Sequence, residues 1–296
     1  MAEAIRSEDF PAGCYICGSP DFIYRPGRVR DDPELKICQC RGCGLVYLAS
    51  FAAGRTGFYE DSGMHGEQPV EVAKWLAEGE ADDERRYRFL KGAMAGKRLL
   101  DFGCGAGGFL MKARAGAAEV RGVELERRLS DHFSEHGLRV AGALDALVDE
   151  GAVFDLITMF HVLEHLPDPR GKLRELARLI APGGEIIVEV PSADDALLTL
   201  YGSEAFSRFT YWSCHLFLFD PHTLAMLAEQ AELRVNYIKQ VQRYPLSNHL
   251  YWLAKGKPGG HKAWNFLDSP GVRDAYENTL ASIGKCDTLI MSVSLA

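Results

Sequence analysis

Residues Leu99–Leu110 read LLDFGCGAGGFL, an apolar strand running into a glycine-rich turn and then into the start of a helix. Gly103, Gly105 and Gly108 leave the backbone bare where the strand ends, so a ligand can approach the peptide groups and the helix N-terminus closely. The same glycines satisfy GxGxxG, which also serves dinucleotides, and the spacing alone does not separate the two uses. Two acids shift the balance. Asp101 precedes the first glycine, and Glu124 closes the next apolar segment, VRGVE, 16 residues beyond Gly108. A carboxylate at Glu124 can accept both hydroxyls of a ribose, which either class of ligand offers. A fixed negative charge at Asp101 repels a diphosphate and attracts a sulfonium or an ammonium, so the pair favours S-adenosylmethionine.

Outward from this turn the chain alternates regularly. RLLDF, VRGVE, RVAG, FDLITMF and EIIVEV read as strands, with helical segments between them at GGFLMKARAG, RRLSDHFSEHG and GKLRELARLIAPGG. In the last of these Leu173, Leu176, Leu179 and Ile180 share one face, and Gly183 with Gly184 supplies the stop. Alternation of this kind predicts an α/β fold, a mostly parallel sheet with helices on both faces. PHTLAMLAEQAEL then gives a helix, and RVNYIKQVQ and TLIMSVSLA give two more strands, separated by an insertion at about 244–287 read as an ordinary helical cap. Three regions are expected: 1–50 with clustered cysteines, a charged and partly helical segment at 51–94 capping the acceptor site, and the α/β domain at 95–296.

The chain has 296 residues, 33 Lys and Arg against 41 Asp and Glu, and a formal charge of −8. That balance disfavours a phosphate backbone as partner. The N-terminal residues lack an apolar run, and no stretch approaches the ~18 apolar residues of a membrane helix, so a soluble, cytoplasmic chain is expected. A homodimer remains open.

LLDFGCGAGGFL, VRGVELE, AGALDAL, FDLITMFHVLEHLPDP and LIAPGGEIIVEVPS, in this order over Leu99 to Ser192, resemble the successive motifs of class I S-adenosylmethionine-dependent methyltransferases. The resemblance implies a Rossmann-like sheet whose last strand is antiparallel. It also implies that Asp101, Gly103 and Gly105 cradle the methionine portion, Glu124 the ribose, and Leu144 with Asp145 the adenine. Phe160 and His161 would then line the methyl-transfer centre.

Five of the eight cysteines lie within the first 43 residues. Cys14 and Cys17 form one CxxC, Cys40 and Cys43 another, each followed by glycine, with 22 residues between the pairs. Two such knuckles can present four thiolates to Zn²⁺, which a ribbon this small needs in order to fold. Cys38 could stand in for Cys40, but only Cys40 completes the CxxCG form. Residues 1–50 carry six basic and seven acidic residues, so no nucleic-acid footprint is visible. The ribbon with YLASF after it is instead similar to zinc-ribbon methyltransferases of bacterial sugar and secondary metabolism, including deoxysugar C-methyltransferases. Those enzymes carry a Tyr-x-Glu-His segment after the fifth strand, where this chain has Trp212, Ser213, Cys214 and His215.

With only the histidine retained, O-methylation of a sugar or nucleotide-linked sugar hydroxyl is slightly favoured over C-methylation. A hydroxyl acceptor must lose its proton, and histidine suits that task. His215 is the expected base, with His161 lining the cofactor site and His165 aiding orientation; Tyr59 and His65 are weaker candidates for the acceptor side. An RNA-directed methyltransferase and a non-catalytic cofactor-binding regulator are the alternatives.

Overall fold

The computed structural model describes residues 13–50 and 70–296; Tyr59 and His65 lie outside them. Three short strands open the chain: β1 (Phe22–Tyr24), β2 (Ile37–Cys40) and β3 (Val46–Leu48). A long helix, α1 (Val72–Met94), leads into the alternating part. There β4 (Arg98–Phe102), α2 (Gly108–Ala113), β5 (Glu119–Val123), α3 (Ser130–Glu135), β6 (Arg139–Ala141), α4 (Asp145–Asp149), β7 (Phe154–Phe160), α5 (Pro169–Ala177) and β8 (Ile180–Pro191) follow one another. After β8 come α6 (Ala196–Thr199), α7 (Glu204–Thr210), β9 (Phe217–Leu218), α8 (Pro221–Gln230) and β10 (Leu233–Val241). The insertion holds α9 (Leu246–Lys255), α10 (Gly260–Ala263) and α11 (Pro270–Ser282), and β11 (Thr288–Leu295) ends the chain.

Seven strands form the main sheet in the order β10-β11-β8-β7-β4-β5-β6. β4 to β8 run parallel, while β11 lies antiparallel between β8 and β10. The last strand in sequence is thus the reversed one, as expected. Period-two alternation assigns the faces. Leu100, Phe102, Ile157, Met159, Ile186 and Val188 pack with Leu173 and Leu176 of α5 and with Leu224 and Leu227 of α8. Leu99, Leu156, Phe160 and Ile187 face the other way, onto Leu90 and Met94 of α1, Phe109 and Leu110 of α2, and Phe133 of α3. The strand order reverses between β4 and β7, and at such a switch point the loops part and leave a crevice at the carboxyl ends.

One helix boundary differs from the sequence expectation. The helix before β8 stops at Ala177, and Ile180 already pairs with Phe154 as strand. Gly183 and Gly184 make a bulge inside β8 rather than a helix stop. Gly183 has φ +78°, and a side chain on Gly184 would sit 2.9 Å from the Asp155 carbonyl oxygen, so the register skips from Phe154–Ile180 to Leu156–Glu185.

The N-terminal strands do not stand apart as the first-50 boundary implied. They form a second sheet, β1-β2-β3-β9, whose fourth strand comes from the loop after β8. Val46 pairs with Leu218 and Tyr47 with Phe217, and the Leu48 amide donates to the Leu216 carbonyl at 3.0 Å. Phe217 is fully buried, with its ring centroid 5.2 Å from Tyr15 and 5.9 Å from Phe219. No helix among the described residues is long and apolar enough to cross a membrane.

Because Phe217 joins the two sheets, Phe217→Ala should cost about 3–5 kcal/mol in a single unfolding transition. Urea denaturation followed at the ribbon and at the main sheet checks this, and two separate transitions would contradict the shared strand.

Candidate active site

A cavity of about 580 Å³ occupies the crevice where β4, β5 and β7 end. Its floor is the glycine turn. Gly103 sits at φ +77°, and a Cβ there would lie 2.4 Å from Val162. Gly105 sits at φ +53°, and a Cβ would lie 2.9 Å from the Trp75 ring. Only glycine tolerates both the backbone and the contacts. The Gly105 amide donates to Glu124 at 2.7 Å, and the other Glu124 oxygen accepts from the Glu126 amide at 3.0 Å. Each oxygen keeps a further lone pair for a ribose hydroxyl.

Asp101 is 3% exposed and accepts a hydrogen bond from the Thr158 hydroxyl at 2.7 Å. Burial pushes its carboxyl up to about 7, against the Thr158 bond and the Arg86 charge, which pull the other way. Asp83 reaches the same cavity from α1, and burial holds its carboxyl above the usual range despite Arg86. With Glu124 and Glu126 these acids give the cavity a negative wall suited to a cationic ligand. Phe160 forms the adjacent wall, with Phe109 edge-on at 5.0 Å and the Arg86 guanidinium 4.6 Å from its ring centroid.

His161 has φ +54°, a conformation that costs a non-glycine residue energy and is kept only where its surroundings over-determine it. Its Nδ1 lies 3.2 Å from Glu164, and its Nε2 lies 3.0 Å from Arg243 Nη1 and 3.2 Å from Glu189. Burial and the Arg243 charge push this imidazole down, but Glu164 and Glu189 outweigh them, so it stands above its usual value. Glu189 is itself fully buried at the end of β8, where Arg85 and Arg86 donate to it at 2.9 and 2.8 Å. Despite that burial, Arg86 and His161 hold its carboxyl well below the usual range. Arg243 is in turn held by an ion pair with Asp82.

His165 and His215 meet in the cavity wall, their ring centroids 4.7 Å apart, with Trp212 beside both. Burial, and then His165, push His215 down to about 3, so its imidazole is neutral. Among the described residues it makes no hydrogen bond through its ring. Burial raises the Glu164 carboxyl, yet its bond to His161 and the charges of the nearby histidines bring it down to about 2. One Glu164 oxygen is buried without a partner. Ligand atoms of Glu164, His165 and His215 lie within 4.8 Å of one another, close enough to share a proton or a cation.

The structure therefore brings Asp101, Gly103, Gly105, Glu124, Phe160, His161, His165 and His215 around one cavity. Leu144 and Asp145 do not line it. Leu144 turns into the core and starts α4, while Asp145 is exposed in the first turn of that helix. The β5-to-α3 turn residues Leu125 and Glu126 occupy the lining in their place. Sequence reading missed Asp83, Arg86, Glu189 and Arg243. Glu189 had a signal, a charge at an apolar strand's buried position in EIIVEV.

In the N-terminal sheet, Cys14, Cys17, Cys40 and Cys43 gather with their sulfurs within 4.8 Å of one another. Cys14 lies 3.5 Å from Cys43 and Cys17 lies 3.4 Å from Cys40. These separations are too long for disulfides and suit tetrahedral thiolates about one ion. Gly18 at φ +71° and Gly44 at φ +89° close the two knuckles. Cys38 is outside the group, fully buried in β2 opposite Tyr47. The cluster fits a small zinc site.

Strand order, reversed final strand, glycine turn and acidic crevice together define a class I S-adenosylmethionine-dependent methyltransferase. A family profile described as "Methyltransferase domain" matches residues 75–238, more than half of the chain, and the protein belongs to that family. Relatives include ubiquinone biosynthesis O-methyltransferases. That of Bordetella avium is 29% identical over 191 residues, covering 60% of this chain and 76% of the relative. That of Thiobacillus denitrificans is 32% identical over 175 residues, covering 55% and 75%. Among solved structures, a SAM-dependent methyltransferase from Archaeoglobus fulgidus superposes with TM-score 0.52 at 19% identity, over 74% of this chain and 98% of that one. The likeness extends to the fold.

A cation bound beside Asp101 favours its ionised form. Cofactor affinity should therefore fall as pH drops below about 7, approaching ten-fold per pH unit. Calorimetric titration with S-adenosylmethionine from pH 8 to pH 5.5 checks this, and Asp101→Asn should bind weakly with a flat profile.

Proposed function

We propose that this enzyme methylates a hydroxyl group of a small-molecule acceptor, with His215 as the base. The observation that carries this reading is the place of the His215 imidazole in the lining of the cofactor cavity next to His165 and Trp212, its ring making no hydrogen bond among the described residues. The relatives' names, O-methyltransferases, agree with it. S-adenosylmethionine supplies a methyl carbon already activated by its sulfonium. His215 would take the proton that the acceptor hydroxyl loses as its oxygen is methylated, a neutral thioether being the other product. The protein's part is alignment and exclusion of water. His161, pinned by Glu164, Glu189 and Arg243, holds the wall beside the transferring carbon, and His165 packs edge-on against the base. Asp101, Gly103, Gly105 and Glu124 hold the donor. α1, reaching the cavity through Trp75, Asp83 and Arg86, caps the acceptor side.

For the acceptor we favour a sugar or nucleotide-linked sugar, on the resemblance of the ribbon-bearing architecture to bacterial sugar methyltransferases. An acceptor of the ubiquinone-biosynthesis kind is the second reading, favoured by the relatives' names. Labelled methyl transfer to a nucleotide-sugar panel and to metabolite extracts separates the two by product. His215→Ala should lower kcat by roughly 10²–10⁴-fold and leave cofactor affinity unchanged; turnover within several-fold of the parent enzyme would remove His215 as base.

Zinc is proposed at Cys14, Cys17, Cys40 and Cys43. Elemental analysis should find one zinc per chain. Cys17→Ser should lose it and lower Tm, because the ribbon shares β9 with the loop that carries His215. Full stability without metal would refute a structural zinc.

A further inference from the structure

A second cavity, of about 720 Å³, lies between the ribbon and α6–α7, outside the methyl-transfer crevice. Its wall carries Arg25 and Arg28 from the ribbon and Arg208 from α7, in a chain whose formal charge is −8. The acids that share the wall are already matched. Glu204 pairs with Arg208, and Asp194 pairs with Lys285 at 3.3 Å. Arg25 and Arg28 have no carboxylate partner among the described residues. Arg25 instead donates to the Ala193 carbonyl.

The segment holding these arginines is built against α7. The Arg28 amide donates to Ser207 at 3.3 Å and the Arg30 amide to Tyr211 at 2.9 Å. Gly27 adopts φ +140°, and a Cβ there would lie 2.5 Å from the Tyr211 ring. The close approach seats Tyr211 in the cavity wall, where it is 1% exposed. The Arg25 side chain is hydrogen-bonded toward the Tyr211 hydroxyl oxygen, and among the described residues the hydroxyl has no acceptor for its proton. A buried donor left unmade costs ~1–3 kcal/mol. Arginines and a phenol lining one cavity match an oxyanion, most closely a phosphate.

We propose that this cavity is a subsite for a phosphate or diphosphate group. Its position assigns the source. Tyr211 lines this cavity and the next residue, Trp212, lines the methyl-transfer cavity. Arg30 stands beside this junction, its amide donating to the Tyr211 carbonyl and its guanidinium 4.6 Å from the Trp212 ring centroid. An elongated acceptor can therefore place its hydroxyl at His215 and its phosphate-bearing end among Arg25, Arg28 and Tyr211. This assignment of source rests on the hydroxyl-methylating reading above; the phosphate subsite itself does not.

The test uses the full-length protein saturated with S-adenosylhomocysteine and titrated with inorganic pyrophosphate. Arg28 is exposed, so replacing it leaves the core intact. Arg28→Glu should weaken binding about ten-fold or more, the loss of one charge-assisted contact. Tyr211→Phe should weaken it several-fold without lowering Tm, whereas a purely structural tyrosine would move Tm and leave affinity alone. No pyrophosphate binding, or equal binding by Arg28→Glu, overturns the subsite. With a methylated acceptor in hand, pyrophosphate should raise the acceptor's KM competitively; binding that leaves that KM unchanged overturns the acceptor assignment and points to a free anion. If no hydroxyl compound is methylated, the reading of the reaction and the acceptor assignment fail together, and pyrophosphate affinity in the two variants still decides the subsite.

Discussion

Carboxylates buried at the ends of neighbouring strands set the terms for the rest of this fold. Asp101 on β4, Glu164 just past β7 and Glu189 on β8 are 3%, 0% and 0% exposed. Taking such groups out of water costs several kcal/mol each unless cations or hydrogen bonds compensate. Glu189 draws Arg85 and Arg86 from α1 and approaches His161, while Glu164 draws His161. Those demands fix α1 across the crevice and force His161 into its left-handed backbone. Asp101 receives only the Thr158 hydroxyl at close range, and its carboxyl rises to about 7 accordingly. Of these three, the carboxylate without an ion pair among the described residues is the one beside the glycine turn, where a positively charged ligand would supply it.

Much of this frame was readable in the residues. Alternation of apolar strands with helical segments foretold a mostly parallel sheet covered on both faces, and the strand pairing bears this out. The glycine turn was legible because Gly103 and Gly105 occupy positive φ with neighbours where a Cβ would be. The two CxxCG knuckles were legible because ligand spacing is local. What the sequence hid is non-local. The DDERR run of α1 looks like a solvated helix face until the fold brings Arg85 and Arg86 to Glu189, 104 and 103 residues away. Leu144 and Asp145, expected beside the adenine, are not among the residues lining the cavity, because Leu144 starts α4 with its side chain buried in the core, and a motif position does not tell which way a turn faces. The β8 bulge was hidden too, since a Gly-Gly pair stops a helix as readily as it kinks a strand.

The ribbon is the part whose role depends most on connectivity. Alone, three strands of three or four residues bury too little to persist. Here the cysteine cluster braces one end and β9 supplies a fourth strand at the other. The loop that delivers β9 also delivers Tyr211, Trp212 and His215, and the Leu216 amide donates to the Glu164 carbonyl at 2.8 Å. The ribbon is therefore coupled through one short strand to the backbone on which the proposed base is mounted.

That coupling gives a physical reason for a cysteine-clustered module beside the methyltransferase sheet. Alignment of reacting atoms tolerates errors well under 1 Å, and the connection of 25 residues between Pro191 and Phe217 is long for that purpose. Pairing its end with β3 ties it to the sheet in which the four cysteines gather. The glycine turn and the acids belong to the strand ends and α1, whereas Trp212 and His215 belong to the connection that ends in β9. The two parts of the cavity thus rest on separate structural supports, which meet at the His165–His215 ring contact.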